Sequence, residues 1–243
     1  MLRGIGQLLI TCGVVVLLFV VYEVYVTNYF AERAQREVKT ALSNQWSHAT
    51  KDPLLPLPGQ TTPTLPEGQG IAYLYLPRLG RDYGYAIVQG TGDAELEKGP
   101  GHYDGTALPG QIGNFAVAGH RVGKGEPFLN LDQLRAGDAV IVQTESKWFV
   151  YRVKGTEHGS IDSIDADGIP GREIVAPSDG QVLDAVPDHG SATPTKAYLT
   201  MTTCHPKFTA SRRMVIHAAL AGTVAAHGLA MPASIVALYG QGA

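Results

Sequence analysis

The sequence predicts a mainly β protein, an antiparallel β-barrel or sandwich that follows an N-terminal helical segment. Residues 71–220 contain seven short runs dominated by β-branched and aromatic residues, and Gly, Pro and Asp separate them. Helical patterning in this part is limited to 93–98 and 127–135, without the strand–helix alternation of a parallel sheet. The predicted strands are 71–76, 84–88, 114–118, 138–144, 147–154, 197–203 and 213–220.

Composition bounds both the size and the partners of the protein. A chain of 243 residues with 44% hydrophobic residues can bury one sizeable core, so we expect one globular domain with accessory segments. The formal net charge of −3 lacks the basic excess that is typical of nucleic-acid-binding proteins. We therefore expect no nucleic acid among the partners.

The N-terminal residues 1–25 are predicted to form a membrane anchor. Residues 4–22 carry no formal charge and are mostly aliphatic, which matches the roughly 20 residues of one helical span. The alternative is a cleavable signal peptide, whose apolar core is shorter and ends at a small-x-small site. Bulky Tyr22, Val24 and Tyr25 follow here instead, which favours a retained anchor. The charges flanking the span do not by themselves decide its orientation.

Residues 26–67 are predicted to connect the anchor to a globular domain at 68–243. Apolar residues recur at every fourth position among charged ones, which indicates an amphipathic helix to about Trp46 that we interpret as a stalk. Prolines are then frequent from 53 to 66, which favours an extended linker. The apolar positions of the helix are Val26, Phe30, Ala34, Val38 and Leu42.

The chemistry of the globular domain centres on Cys204. This residue ends the strand-like segment AYLTMTTC, so its thiol lies where a strand stops pairing and can be reached from solvent. A lone cysteine is more often a small buried hydrophobic residue, so its context has to decide. Cys12 lies far away in the apolar anchor, and we expect no disulfide between the two.

His120 and Arg213 supply that context. His120 ends the strand-like run GNFAVAGH, so its imidazole can meet the thiol across the rim of a barrel. Arg213 opens the run RMVIHAAL, which suits a hairpin that brings its guanidinium beside Cys204 while Arg212 points away. A guanidinium there favours the thiolate and stabilises the oxyanion that forms when the thiolate attacks a carbonyl.

Other readings of the polar residues are weaker. His205 neighbours Cys204, but adjacent residues on an extended chain point to opposite faces, so we interpret it as structural. A zinc site would need a second cysteine in the domain, or C-x-x-C or H-E-x-x-H spacing, and the sequence has neither. We expect no metal and no cofactor.

Three motifs in order resemble the signature of the sortase family. TMTTC (200–204) resembles the T-L-x-T-C strand that carries the nucleophile, with AGHR upstream and SRRMVIHA downstream. The similarity runs from Ile71 to Leu220, and the segment GPGHYDGTALPGQIGNFAVAGHR (99–121) is most similar to class E sortases of actinobacteria. Met201 replaces the usual Leu, a swap of similar volume that a core position tolerates.

This resemblance implies an eight-stranded sortase β-barrel with short helices. It also implies a cysteine transpeptidase that cleaves a Leu-Pro/Ala-x-Thr-Gly sorting signal between Thr and Gly. Cys204 would be the nucleophile, His120 the acid/base and Arg213 the oxyanion-side cation, and Thr203 would line the substrate groove. The implied partners are exported proteins with a C-terminal sorting signal and the amine of a peptidoglycan precursor. The catalytic domain would then lie on the extracellular face of the cell membrane.

Two further functions remain open at this point. One is a cysteine peptidase that releases its product to water, or an L,D-transpeptidase, although the latter usually has a S-H-G-C-like context that is absent here. The other is an anchored β-domain that only binds a partner, in which Cys204 has no chemical role.

Overall fold

The computed structural model describes residues 2–22, 27–48, 54, 65–156, 160–226, 228 and 230–240. Two long helices come first, α1 (Leu2–Val21) and α2 (Thr27–His48), and two short ones follow, α3 (Asp93–Leu96) and α4 (Ala233–Val236). Within these residues, α1 is the one helix long and apolar enough to cross a membrane, over Arg3–Val20. Short 3₁₀ turns lie at Pro77–Leu79, Leu131–Gln133, Gln181–Leu183 and Ala237–Gly240.

Eight strands form a closed barrel, which confirms the predicted fold class. The described strands are β1 (Gly70–Tyr75), β2 (Gly84–Gln89), β3 (Gly101–His102), β4 (Gly113–Ala118), β5 (Ala139–Gln143), β6 (Lys147–Val153), β7 (Arg172–Val175), β8 (Ala197–His205) and β9 (Arg212–Ala225). The barrel strands follow one another as β6-β5-β1-β2-β3-β4-β8-β9, and pairing of β6 with β9 closes the ring. β7 adds to the outside of this ring by pairing with β9. The pairs are antiparallel except β2–β3 and β4–β8.

All seven predicted strands are present, and β3 and β7 are additional. The helical patterning at 93–98 and 127–135 corresponds to α3 and to the 3₁₀ turn at Leu131–Gln133. Most of the proline-rich segment lies outside the described residues. The boundaries of the anchor, the connecting segment and the globular domain stay predictions.

The barrel interior holds the main core and thereby defines the two faces of β8. Leu199 and Met201 are fully buried in that core, together with Phe115 of β4 and Ile216 of β9. Side chains alternate along a strand, so the even-numbered residues of β8, including Cys204, point to the outside of the barrel. Met201, where the family signature has Leu, contributes its side chain to the packed interior.

Helix α2 packs against the outside of the barrel, which the stalk interpretation does not include. Its buried side chains are Ala31, Gln35 and Leu42, whereas Phe30 of the predicted apolar stripe is 59% exposed. The side-chain amide of Gln35 forms with Ala86 of β2 the two backbone hydrogen bonds that a neighbouring strand would form. It accepts from the Ala86 amide and donates to the Ala86 carbonyl. The buried face therefore departs from the predicted stripe by one residue in the first half of α2, at Ala31 and Gln35, and coincides with it at Leu42. It includes a hydrogen-bonded polar side chain.

Candidate active site

The ends of β4, β8 and β9 bring the three predicted site residues to one edge of the barrel. In the antiparallel β8–β9 pair, Cys204 lies directly opposite Arg213. Directly opposed residues project to the same face, so thiol and guanidinium share the outer face. In the parallel β4–β8 pair, Ala118 aligns with Thr202, and the Gly119 amide donates to the Thr202 carbonyl at 3.1 Å, so His120 follows β4 at the end of the barrel where Cys204 lies.

The register distinguishes Arg213 from its neighbour Arg212. Arg212 is opposite His205, so both of these side chains belong to the face that Cys204 does not use. The Arg213 guanidinium donates from Nη1 to the carbonyls of Ala210 and Arg212, at 3.2 and 3.3 Å. One nitrogen of the Arg213 guanidinium is thus held by the β8–β9 turn.

His120 is partly buried and its imidazole is available for chemistry. Its Nε2 atom is buried and has no hydrogen-bond partner among the described residues. Burial lowers the pKa of His120, and the positive charge of Lys124 lowers it further, while Asp93 and Glu97 act in the opposite direction. At neutral pH the resting imidazole is therefore mostly neutral and able to accept a proton.

Thr203, the predicted groove residue, lies between the strand ends of the site, and its role stays a prediction. Its side chain is buried, on the face opposite to that of Cys204, and its hydroxyl donates to the Gly119 carbonyl at 2.8 Å. The Gly119 amide in turn donates to the Thr202 carbonyl at 3.1 Å. Thr203 therefore joins the strand end that carries the thiol to the strand end that carries His120.

Arg121 is a site residue that the sequence reasoning missed. Its guanidinium is only 4% exposed, and Nη1 lies 3.3 Å from the Cys204 carbonyl and 2.8 Å from His205 Nδ1. Nη2 lies 3.3 Å from a carboxylate oxygen of Asp132, the counter-ion. The Arg121 guanidinium thus holds the backbone at Cys204. The sequence feature that could have indicated this residue is its position directly after His120 in the motif AGHR.

A cavity of about 760 Å³ lies beside the outer face of β4. Its lining mixes apolar and polar residues, among them Glu67, His102, Asp104, Asn114, Leu183 and Ala185. Between it and Cys204, the Tyr103 hydroxyl lies 2.9 Å from the Thr202 hydroxyl. This contact joins the segment after β3 to β8, two residues before the thiol.

The described residues contain one group of side chains with the spacing of a metal site. Ligand atoms of Glu173, Asp188 and His217 lie within 4.8 Å of one another. Both ring nitrogens of His217 are already engaged, Nδ1 with the Thr200 hydroxyl at 2.9 Å and Nε2 with Glu173 at 2.8 Å. Hydrogen bonds to the His217 imidazole therefore account for its close approach to Glu173.

Comparison with known proteins supports the resemblance seen in the motifs. A model of the sortase domain matches residues 74–221. Sortase SrtE1 of Streptomyces coelicolor is 36% identical over 221 residues, which cover 88% of this chain and 55% of that protein. The chain thus spans little more than half the length of this relative.

Two solved structures share the fold. The SrtF sortase of Corynebacterium diphtheriae is 39% identical with a TM-score of 0.64, and the match covers 74% of this chain and 98% of that one. Sortase E1 of Streptomyces coelicolor, solved with a tripeptide in its active site, is 34% identical with a TM-score of 0.54, over 65% and 91% of the two chains. The predicted family is confirmed, and the chain belongs to the sortase family.

Proposed function

We propose that this protein is a membrane-anchored cysteine transpeptidase that cleaves a Leu-Pro/Ala-x-Thr-Gly sorting signal between Thr and Gly. It transfers the acyl group to an amine of a peptidoglycan precursor. The placement of Cys204, Arg213 and His120 at one edge of the barrel supports this proposal most directly. Acyl transfer through a thioester needs a nucleophile, a proton carrier and a cation, and these three groups lie at one edge of the barrel.

The proposed reaction begins with the neutral His120 imidazole accepting the thiol proton of Cys204. The thiolate sulfur attacks the Thr carbonyl carbon, a C–S bond forms, and the electron pair moves to the oxygen, where Arg213 stabilises it. The C–N bond to Gly then breaks as His120 returns its proton to the departing amine, leaving a thioester. The acceptor amine attacks the thioester, its proton passes to His120, and the Cys204 thiolate leaves.

The cavity beside Asn114 has the mixed apolar and polar lining that suits a bound peptide. The tripeptide in the active site of the 34% identical sortase E1 supports a peptide ligand for this chain as well.

The proposed substrates determine the orientation of the anchor. Exported proteins and the wall precursor amine are both accessible outside the membrane, so the domain that follows α1 lies on the extracellular face. The N-terminus then lies inside, in agreement with Arg3 preceding the span.

Peptide cleavage by the full chain in detergent tests this function. We expect it to cleave a Leu-Ala-x-Thr-Gly peptide between Thr and Gly, and hydroxylamine to capture the acyl group as the Thr hydroxamate. Cys204→Ala should abolish both reactions, while Cys12→Ala, which changes the other thiol of the chain, should leave them intact. Hydroxamate formation by Cys204→Ala at the wild-type rate would rule out the mechanism. Release of free acid alone, even with a diamino acid acceptor in excess, would favour a peptidase.

A further inference from the structure

The loop 121–127 that follows His120 adopts a conformation that needs outside support. It closes through a hydrogen bond from the Phe128 amide to the His120 carbonyl at 3.0 Å. Residues Gly123, Lys124, Gly125 and Glu126 have positive φ angles of 69°, 53°, 81° and 47°. Lys124 and Glu126 pay a conformational cost in this left-handed region, and such residues persist where their surroundings hold them.

That support comes from helix α2, through the side chain of Asn28. Its Oδ1 accepts from the Gly125 amide at 3.0 Å, and its Nδ2 donates to Glu126 Oε1 at 2.7 Å. The Tyr85 hydroxyl holds the same loop from β2, because it donates to the Gly125 carbonyl at 3.1 Å. A Cβ atom added at Gly125 would lie 3.2 Å from the Cβ of Ala31, so loop and helix are in close contact.

The loop in turn controls the surroundings of His120. Lys124 forms an ion pair of 2.9 Å with Glu97, which places its charge near the imidazole. The charged groups that act on His120 are Lys124 of the loop itself, together with Asp93 of α3 and Glu97 just beyond it. A loop that moves away would alter both the position of His120 and the charges around it.

We propose that Asn28 is a positioning residue that holds loop 121–127, and thereby His120, in the arrangement used for acyl transfer. Helix α2 then belongs to the active unit of the enzyme and is more than a spacer between membrane and barrel. The proposal rests on the proposed function only in taking His120 as the acid/base.

The test compares Asn28→Ala with Gln45→Ala in the full chain. Gln45 is a matched control, because it accepts a hydrogen bond from Gln69 at 3.2 Å near the other end of α2, away from the loop. We expect Asn28→Ala to lower kcat about tenfold with KM within about twofold of wild type, since small displacements of catalytic groups are costly. Gln45→Ala should keep the wild-type kcat. Equal kcat values for the two variants would overturn the proposal.

The pH dependence of kcat/KM gives a readout that a loss of stability alone would not move. Releasing the loop exposes His120 and frees Lys124, and both changes weaken the effects that lower the pKa of His120. That pKa then rises toward its ordinary value, so the acidic limb of the profile shifts to higher pH in Asn28→Ala. An unshifted limb would contradict the proposal.

Reversing the polarity of the Asn28–Glu126 bond provides a rescue. Asn28→Asp keeps the acceptor for the Gly125 amide but places a carboxylate against Glu126, so we expect a loss. Adding Glu126→Gln restores a donor–acceptor pair and should recover kcat to within about twofold of wild type. Failure of the pair to recover activity beyond Asn28→Asp alone would count against the proposal.

Amide exchange of residues 121–127 separates this proposal from the proposed function. The exchange measurement needs no substrate. We expect the amides of this loop to exchange faster in Asn28→Ala and at the wild-type rate in Gln45→Ala. If the wild-type chain does not cleave the peptide, the proposed function fails while the exchange result still shows whether Asn28 holds the loop. Unchanged exchange in Asn28→Ala, in an active enzyme, refutes the positioning role alone.

Discussion

Two histidines of the globular domain, His120 and His217, have opposite surroundings. His217 is fully buried, and each of its ring nitrogens has a partner, the Thr200 hydroxyl on one side and Glu173 on the other. His120 is partly exposed at the strand end, and its Nε2 has no partner among the described residues. A satisfied imidazole holds strands together, whereas an unsatisfied one at a rim is free to move a proton.

The network around His217 explains its structural role. Thr200 of β8 donates to Asn114 of β4 at 2.8 Å and also contacts the imidazole of β9, which reaches Glu173 of β7. Four strands are thus joined by side chains on the face that carries Cys204. The residue types alone would not separate this histidine from His120, but the completeness of the hydrogen bonding does.

Exchanging each histidine for alanine gives the largest expected contrast. His120→Ala should lower kcat for peptide cleavage by about 10²–10⁴, the usual contribution of a general acid/base, with little change in melting temperature. His217→Ala should lower the melting temperature, because it removes the buried imidazole that bridges Thr200 and Glu173, while folded protein keeps most of its kcat. Calorimetry and steady-state kinetics measure both. A catalytic collapse of His217→Ala at an unchanged melting temperature would break the distinction.

The two neighbouring arginines allow a second, somewhat smaller contrast. Arg213→Ala should lower kcat by about 10²–10³, as expected when one group that stabilises an oxyanion is removed. Arg212→Ala should largely retain activity, since this side chain belongs to the other face of β9. Kinetics with the same peptide decide between them, and the reverse ranking would mean that the strand register near Cys204 is wrong.

The smallest expected effect concerns the pH dependence of stability at the His217 network. Burial, together with the negative charge of Glu173, raises the pKa of Asp188 to about 6. A carboxyl whose pKa is raised on folding contributes stability below its unfolded pKa, near 4, and loses it as pH rises through 6. Asp188→Asn cannot ionise, so it should unfold less readily than wild type at pH 7 by on the order of 1 kcal/mol after solvent screening. Denaturant titrations at pH 4 and pH 7 test this, and an equal difference at both pH values would contradict it.

The local sequence was sufficient to predict the long strands and the strand ends that lie at the site. It was insufficient for β3, since the two residues Gly101–His102 have no detectable alternation, and for β7, whose four residues lie between loops rich in Asp and Gly. Helix α2 was predicted and Leu42 of its apolar stripe is buried, but the burial of Gln35 was missed. Its polar side chain is typical of a solvent-exposed position until the unpaired edge at Ala86 is known.

The site shows the same limit. Strand-end placement predicted that Cys204, His120 and Arg213 would come together, and their chemical roles stay predictions. The burial of Arg121 against the Cys204 carbonyl depends on tertiary packing that no local pattern encodes. The same holds for Thr203, whose hydroxyl turns inward to a neighbouring strand.

Strand β9 has a consequence for when this protein becomes reactive. Its N-terminal half pairs with β8 and its C-terminal half with β6, so it is the strand that closes the barrel, and Arg213 lies within it. Until β9 pairs with β8, the thiol of Cys204 has no guanidinium opposite it. The pairing that places Arg213 beside Cys204 is therefore part of the same step that completes the barrel.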